Sequence, residues 1–136
     1  MNNLNFISPE IFISLSIMFL LILGVFKKDS SNLIHNLSIG ILLIAGILIL
    51  NNSLDQTITL FSGSYIIDYL SSFMKILTIL GGAFVLSISV KYLKLFKIFL
   101  IEYPILILCS ILGMMVMISS NDLMVFYIGL ELQSLA

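Results

Sequence analysis

Long apolar runs, separated by short polar breaks, are the feature that most constrains this chain of 136 residues. Because a helix rises ~1.5 Å per residue, the run from Pro9 to Phe26 would extend about 27 Å, close to the ~30 Å hydrocarbon core of a bilayer. Only 10% of the residues are charged, against roughly 25% in an ordinary soluble domain. The sequence therefore predicts an all-α, polytopic transmembrane helix bundle that forms a single domain.

The polar breaks divide the chain into five predicted helices, at about 9–26, 33–50, 68–90, 104–118 and 122–136. The first opens at Ser8-Pro9-Glu10, where serine can cap, proline suits the first helical position and the acid faces the positive end of the helix dipole. The segment 51–64 mixes polar and β-prone residues, which indicates an external loop or a small hairpin. Helix 5 stops at Ala136, too short to cross the core, so we expect an N-terminal fragment of a longer protein.

The few charges indicate an orientation and exclude several functions. Lys27 and Lys28 lie between helices 1 and 2, and Lys91, Lys94 and Lys97 lie between helices 3 and 4. Lysine-rich loops stay inside, which places the N-terminus on the outer, periplasmic side. Six scattered lysines argue against nucleic-acid binding. The sequence has no metal-ligand cluster, nucleotide-binding glycine loop or nucleophile triad, so we predict no catalytic residue, metal or cofactor site.

A carboxylate within helix 5 is the first candidate for chemistry. Glu131 lies about nine residues into that helix, or roughly 14 Å deep in a ~30 Å core. An ionised group at that depth is costly, so such residues usually serve proton or ion movement. Burial favours the neutral acid and an approaching lysine favours the carboxylate, which suits Glu131 to proton translocation. Tyr127, a further candidate for proton translocation, and Ser134 share its helical face, where they can supply hydrogen bonds or order a water. The alternative is a polar clamp between helices.

Lys75, inside helix 3, is the second candidate for proton translocation. It lies about 10 Å from the outer face, within snorkelling reach, so a structural role is the alternative. Asp68 precedes it by seven residues on the same face, and we expect the two charges to neutralise each other in part, directly or through water. His35, beside Lys27 and Lys28 at the inner end of helix 2, is expected to anchor that helix at the interface.

Small residues inside the predicted helices suit close helix packing in lipid, where backbones approach most closely at positions without a large side chain. We expect this to be the whole purpose of the small residues in helices 2 and 3. Gly129 is expected to let a neighbouring helix approach helix 5. The residues concerned in helices 2 and 3 are Gly40, Gly46, Gly81, Gly82 and Ala83.

The stretch 102–136, EYPILILCSILGMMVMISSNDLMVFYIGLELQSLA, resembles the membrane subunits of proton-pumping NADH:quinone oxidoreductase, respiratory complex I. Its tail, NDLMVFYIGLELQSLA, is similar to subunit N, the homologue of mitochondrial NADH dehydrogenase subunit 2. That subunit typically has Gln-Ser-Leu-Ala after the glutamate of helix 5, where its paralogues tend to have a proline. The region 68–91 also resembles helix 3 of subunit N, whereas residues 1–60 match only in hydropathy and helix order.

This resemblance implies an antiporter-like complex I subunit fold with two inverted repeats, here truncated in helix 5. Glu131 aligns with the family's helix-5 glutamate, which pairs with a lysine on a later helix and couples quinone reduction to proton transfer. The resemblance also implies a translocase subunit without redox chemistry of its own. Quinone, NADH, flavin and iron-sulfur clusters would then belong to other subunits of a hetero-oligomer. The membrane would be a bacterial inner membrane, or a mitochondrial one if the gene is organellar.

Two other functions remain open at this point. A subunit of a related cation/proton antiporter would share the fold and the buried glutamate, although the tail Gln133-Ser134-Leu135-Ala136 argues against it. A non-catalytic membrane scaffold would use Glu131 only to hold helices together. The reading frame beyond Ala136 separates these alternatives, since a pump subunit should continue through further apolar segments, one of them carrying a buried lysine.

Overall fold

The computed structural model describes residues 7–27, 31–51, 58–60, 63, 65–95 and 102–136. Within them the chain forms five helices and one hairpin, which confirms the predicted helical bundle. The elements are α1 (Ser8–Phe26), α2 (Ser31–Asn51), β1 (Ile58–Leu60), β2 (Tyr65–Ile67), α3 (Tyr69–Leu95), α4 (Glu102–Ile118) and α5 (Leu123–Leu135).

Three of the described helices, α1, α2 and α3, are long and apolar enough to cross a membrane. The helices α4 and α5 are also apolar but shorter, with 17 and 13 residues. Helix α3 has 27 residues and continues to Leu95, beyond the predicted end near residue 90. It passes through Lys91 and Lys94, which are exposed. Long lysine side chains reach water from a helix end, so the helix need not stop at the edge of the lipid.

The helices α1 to α4 form a ring around one apolar core. Helix α1 packs against α2 and α4, and α3 also packs against α2 and α4, so α1 and α3 lie across the ring from each other. Helix α5 packs chiefly on α4. The outward faces are also apolar, as expected for helices in lipid. The core includes Ile13, Ile17, Leu20, Ile34, Leu42, Ala45, Ile79, Leu86, Leu108, Ile111 and Met115.

A hairpin between α2 and α3 is attached to the turn between α4 and α5. Its strands pair antiparallel, with Ile58 opposite Ile67, and Gly63 in the turn has a φ of 88°, which favours glycine. The amide of Ile66 donates to the carbonyl oxygen of Ser119 at 2.8 Å. The side-chain amide of Asn121 donates to the carbonyl oxygen of Gly63, also at 2.8 Å. The hairpin therefore fixes the start of α5 relative to α3.

Replacing Asn121 with alanine should lower the stability of the assembled protein by about 1 kcal/mol, because it removes a hydrogen bond that joins the hairpin to the turn before α5. The measurement is the thermal midpoint of the complete subunit in mild detergent. Asn36→Ala, at an exposed position on α2, is the matched control and should change the midpoint little. Equal midpoints for the two variants would show that the Asn121 contact has no stabilising effect.

Candidate functional site

Glu131 and Tyr127 form a hydrogen-bonded pair on α5. The Tyr127 hydroxyl donates to Oε1 of Glu131, with 2.5 Å between the oxygens. The residues are one helical turn apart, so an ordinary helix brings their side chains together. Both side chains are exposed on this chain. Ser134, the other polar residue predicted to assist, donates instead to the backbone carbonyl of Glu131 at 3.1 Å.

The orientation of Glu131 follows from a close crossing of α4 and α5. A Cβ added at Gly129 would lie 3.0 Å from the carbonyl oxygen of Gly113, and one added at Gly113 would lie 2.7 Å from the amide nitrogen of Gln133. The two backbones are therefore in contact, as predicted for Gly129. Glu131 lies two positions after Gly129, about 200° around the helix, and so points away from α4.

Lys75 lies in a second charged site, inside the ring of α1 to α4. Its ammonium donates to Oε1 of Glu10 on α1, and the two side chains are only 3% and 7% exposed. The sequence named Asp68 as the charge nearest to Lys75, but the ion-pair partner in the structure is Glu10. Asp68 precedes α3 and caps it instead: its Oδ1 accepts from the amide of Ser71 at 2.7 Å, and the Ser71 hydroxyl accepts from the amide of Asp68 at 2.9 Å. The free amides of a helix start lie closer to Asp68 than the lysine two turns later.

Glu10 is the charged residue whose ion pair was not predicted from the sequence. The sequence placed it correctly in the first turn of α1, but only as a residue that favours the helix dipole. In the structure it lies on the buried stripe of α1 with Pro9, Ile13, Ile17 and Leu20. Glu10 precedes Ile13, Ile17 and Leu20 by three, seven and ten residues. This spacing puts all four on one helical face, and it was the signal in the sequence for the burial of Glu10.

His35 has a different place from the one predicted. It is 1% exposed, and its Nε2 donates to the carbonyl oxygen of Leu86 on α3 at 2.7 Å. The predicted role as an interfacial anchor is therefore wrong. Helix α2 begins at Ser31, so His35 lies one turn inside the helix, on the face that packs against α3. There it links the two helices.

The glycines of α2 and α3 divide into two groups. A Cβ at Gly82 would lie 2.2 Å from Cδ1 of Ile111, and one at Gly46 would touch Ile79 at 3.7 Å, so both lie at helix contacts. Among the described residues, a Cβ at Gly40 or Gly81 would meet no atom within 4 Å. The expectation of close packing is therefore wrong for those two positions, because they face outward from the ring.

The predicted candidates thus belong to two places. Glu131 and Tyr127 share a site on α5, whereas Lys75 is inside the α1 to α4 ring with Glu10 as its partner. In the part of the chain that the structure describes, no group of three or more His, Cys, Asp or Glu side chains could hold a metal ion. The ionisable groups at these two places are carboxyl, phenol and amine groups, each of which can bind or release a proton.

Comparison with known proteins gives no matching family model, but it gives close relatives. The chain is 81% identical over all 136 residues to NADH-quinone oxidoreductase subunit N of Pelagibacter ubique. It is 39% identical over 128 residues, 94% of the chain, to the subunit N of Paramagnetospirillum magneticum, and 44% identical over 131 residues, 96% of the chain, to that of Bartonella bacilliformis. It spans 29%, 26% and 26% of the lengths of these relatives. With three helices able to cross a membrane, these relatives indicate an integral membrane protein.

Proposed function

Because this chain belongs by sequence to the family of NADH-quinone oxidoreductase subunit N, we propose that it is part of a membrane subunit that couples electron transfer from NADH to quinone to proton translocation. The observation that carries the translocation role is the Glu131 carboxylate, which lies on an apolar helix and accepts a hydrogen bond from Tyr127. An ionised carboxylate on a membrane helix is costly, so such residues are rare and usually mark an ion or proton pathway.

The geometry of α5 suggests how Glu131 would carry a proton. When Glu131 is ionised, the Tyr127 hydroxyl donates to it and stabilises the charge. When Glu131 is protonated, its own hydroxyl can donate, and the tyrosine oxygen can accept. The pair thus keeps a hydrogen bond in both states. Because Glu131 points away from α4, it is free to meet a cation or an ordered water supplied by a neighbouring helix of the full assembly.

The same proposal assigns partners, cofactors and membrane. NADH, flavin, iron-sulfur clusters and quinone would bind to other subunits, and this chain would work in a hetero-oligomer with other membrane subunits. The relatives come from bacteria, which favours a bacterial inner membrane. Lys27 is the C-cap of α1, and Lys91 and Lys94 lie in the last turns of α3, whereas Lys28 and Lys97 lie outside the described residues. Lysines at these ends favour an N-terminus on the outer side.

The test is proton pumping by an assembled complex that carries Glu131→Gln in the complete subunit. We expect NADH-driven pumping in proteoliposomes to fall by ~10²-fold, since a positioned proton-transfer group typically contributes that factor or more. Tyr127→Phe should cause a smaller loss, because the carboxylate remains. Native gels should show normal assembly for both variants.

The matched control is Asp122→Asn, which makes the same change from carboxylate to amide at the start of the same helix. Asp122 is the N-cap of α5, and asparagine caps as well as aspartate, so pumping should stay at the parental level. Full pumping by a correctly assembled Glu131→Gln complex would remove Glu131 from the proton path. The role of Glu131 would then be that of a polar clamp between helices.

A further inference from the structure

The buried polar and charged side chains of the described residues fall into two groups at opposite ends of the bundle. One end, where α1 and α3 begin, has Glu10, Ser71, Lys75 and Ser119; the other has His35 and Ser38. Lys75 and Leu86, whose carbonyl binds His35, are eleven residues apart on α3, or about 16 Å along the axis. The buried side chains between the two groups are apolar.

The inward face of α3 changes from polar to apolar at Lys75. Asp68, Ser71 and Lys75 follow each other at spacings of three and four residues, which places them on one helical face. Asp68 is partly exposed at the helix start, and Ser71 is 5% exposed. Continuing along the same face, Ile79 is 1% and Leu86 0% exposed. A line of polar groups therefore runs from the end of the bundle to Lys75 and stops there.

Glu10 approaches the end of this line from the opposite side of the ring. Helices α1 and α3 each pack against α2 and α4, so the ion pair joins them across the bundle axis. Glu10 is the third residue of α1 and Lys75 the seventh of α3, roughly 3 and 9 Å from the helix starts. Side chains on a helix lean towards its start, which brings the Lys75 ammonium back towards Glu10. Both charges are thus held near one membrane face.

A mere clamp does not require these charges. Transferring each ion out of water costs several kcal/mol, and a buried ion pair can often be replaced by apolar side chains of similar volume without loss of stability. The surrounding ring is built from isoleucine, leucine and methionine, which would join α1 to α3 well enough. Two groups that can exchange a proton, placed at the end of a polar line, fit a different purpose.

We propose that Glu10 and Lys75 form a proton-exchange site that opens to the membrane face where α1 and α3 begin, the outer face in the orientation proposed above. The proton moves from the Lys75 ammonium to the Glu10 carboxylate, giving a neutral amine and a carboxylic acid. The acid releases this proton to water at the Asp68 and Ser71 edge, which leaves a carboxylate beside the amine. A proton that reaches the amine from within the assembly, and not from the water at this edge, restores the ion pair. This inference rests on the proposed function, within which the pair would hold a proton on the release side.

The first experiment compares charge-free and charge-retaining pairs in the assembled complex. Glu10→Gln with Lys75→Met removes both charges together, so no unpaired ion remains in the core, and assembly should be near normal. NADH-driven pumping should nevertheless fall by ~10²-fold. The matched control, Glu10→Asp with Lys75 retained, keeps an acid and an amine that can both gain and lose a proton, and it should retain more pumping than the charge-free pair. Glu10→Asp with Lys75→Arg keeps the ion pair but not the exchange, since a guanidinium does not release its proton, and it should pump as poorly as the charge-free pair. If the charge-free variant pumps as well as the parent, the pair is only a clamp and the proposal is overturned.

The second experiment observes the proton directly and does not depend on the double variant assembling. Infrared difference spectra of the complex, recorded between resting and NADH-reduced states, should contain a carboxylic acid band that shifts in D2O and changes position in Glu10→Asp. A band unaffected by Glu10→Asp would overturn the proposal. The proposed function fails separately, if the parent complex does not pump or if Glu131→Gln pumps normally.

Discussion

Replacing Lys75 with methionine should destabilise the assembled subunit by about 3–5 kcal/mol, the typical cost of removing one partner from a buried ion pair. The Glu10 carboxylate, whose side chain is 7% exposed beside that lysine, would remain among apolar side chains of the ring. Methionine fills much of the lysine volume, so the loss comes from the uncompensated charge. The measurement is the temperature at which half of the complex dissociates in mild detergent, followed on native gels.

Three further variants test whether the loss of stability comes from the unpaired charge. Glu10→Gln should be less harmful than Lys75→Met, because a lysine freed from its partner can extend towards the nearby end of the bundle. The double variant should be more stable than the sum of the two single losses predicts, which identifies a direct interaction. Lys91→Met, at an exposed position near the other end of α3, should change stability by less than about 0.5 kcal/mol. Equal losses for Lys75→Met and Lys91→Met would contradict the expectation.

The helix spans could be predicted from the sequence because the thickness of the bilayer sets the length of a helix that crosses it. A run of apolar residues must cross a core of ~30 Å, and polar or lysine-rich breaks mark its ends. Thus α1 covers Ser8–Phe26 and α2 covers Ser31–Asn51, close to the predicted 9–26 and 33–50. The hydrogen bond between Tyr127 and Glu131 could also be predicted, since it depends only on helical spacing.

The inward face of each helix could not be read in the same way. In a soluble protein the buried face is apolar and the exposed face polar, so the sequence period reveals which side packs inward. A helix in lipid is apolar all round, and this contrast disappears. The spacing of Glu10 from Ile13, Ile17 and Leu20 therefore did not by itself identify the buried face, because α1 also has apolar residues on its other faces. Asp68 was the nearer partner for Lys75 in sequence. The burial of His35 against α3 was hidden for the same reason.

Long-range pairing adds a second difficulty. Glu10 and Lys75 are 65 residues apart, and their meeting depends on how four helices are arranged around a ring. Helical spacing determines neighbours within one helix, but it does not determine which helices lie across from each other. Only the packing of α1 and α3 against the shared neighbours α2 and α4 brings these two charges together.

Replacing Gly113 with alanine should destabilise the packing of α5 on α4 by about 3 kcal/mol, at the upper end of the usual cost of overpacking. The added Cβ would lie 2.7 Å from the amide nitrogen of Gln133 and 2.9 Å from the carbonyl oxygen of Gly129. These are backbone atoms, which cannot rotate away as a side chain can. Helix α5 would have to move as a unit and would displace Glu131 with it. The measurements are complex stability on native gels and NADH-driven pumping, and both should fall.

Gly81→Ala is the matched control, because it makes the same substitution inside a helix but without a collision. A Cβ at Gly81 would meet no atom within 4 Å among the described residues, and alanine favours a helix over glycine by up to about 1 kcal/mol. This variant should assemble and pump like the parent. If Gly113→Ala behaves like Gly81→Ala, α5 does not approach α4 closely enough for glycine to be required. The orientation assigned to Glu131 would then lose its physical basis.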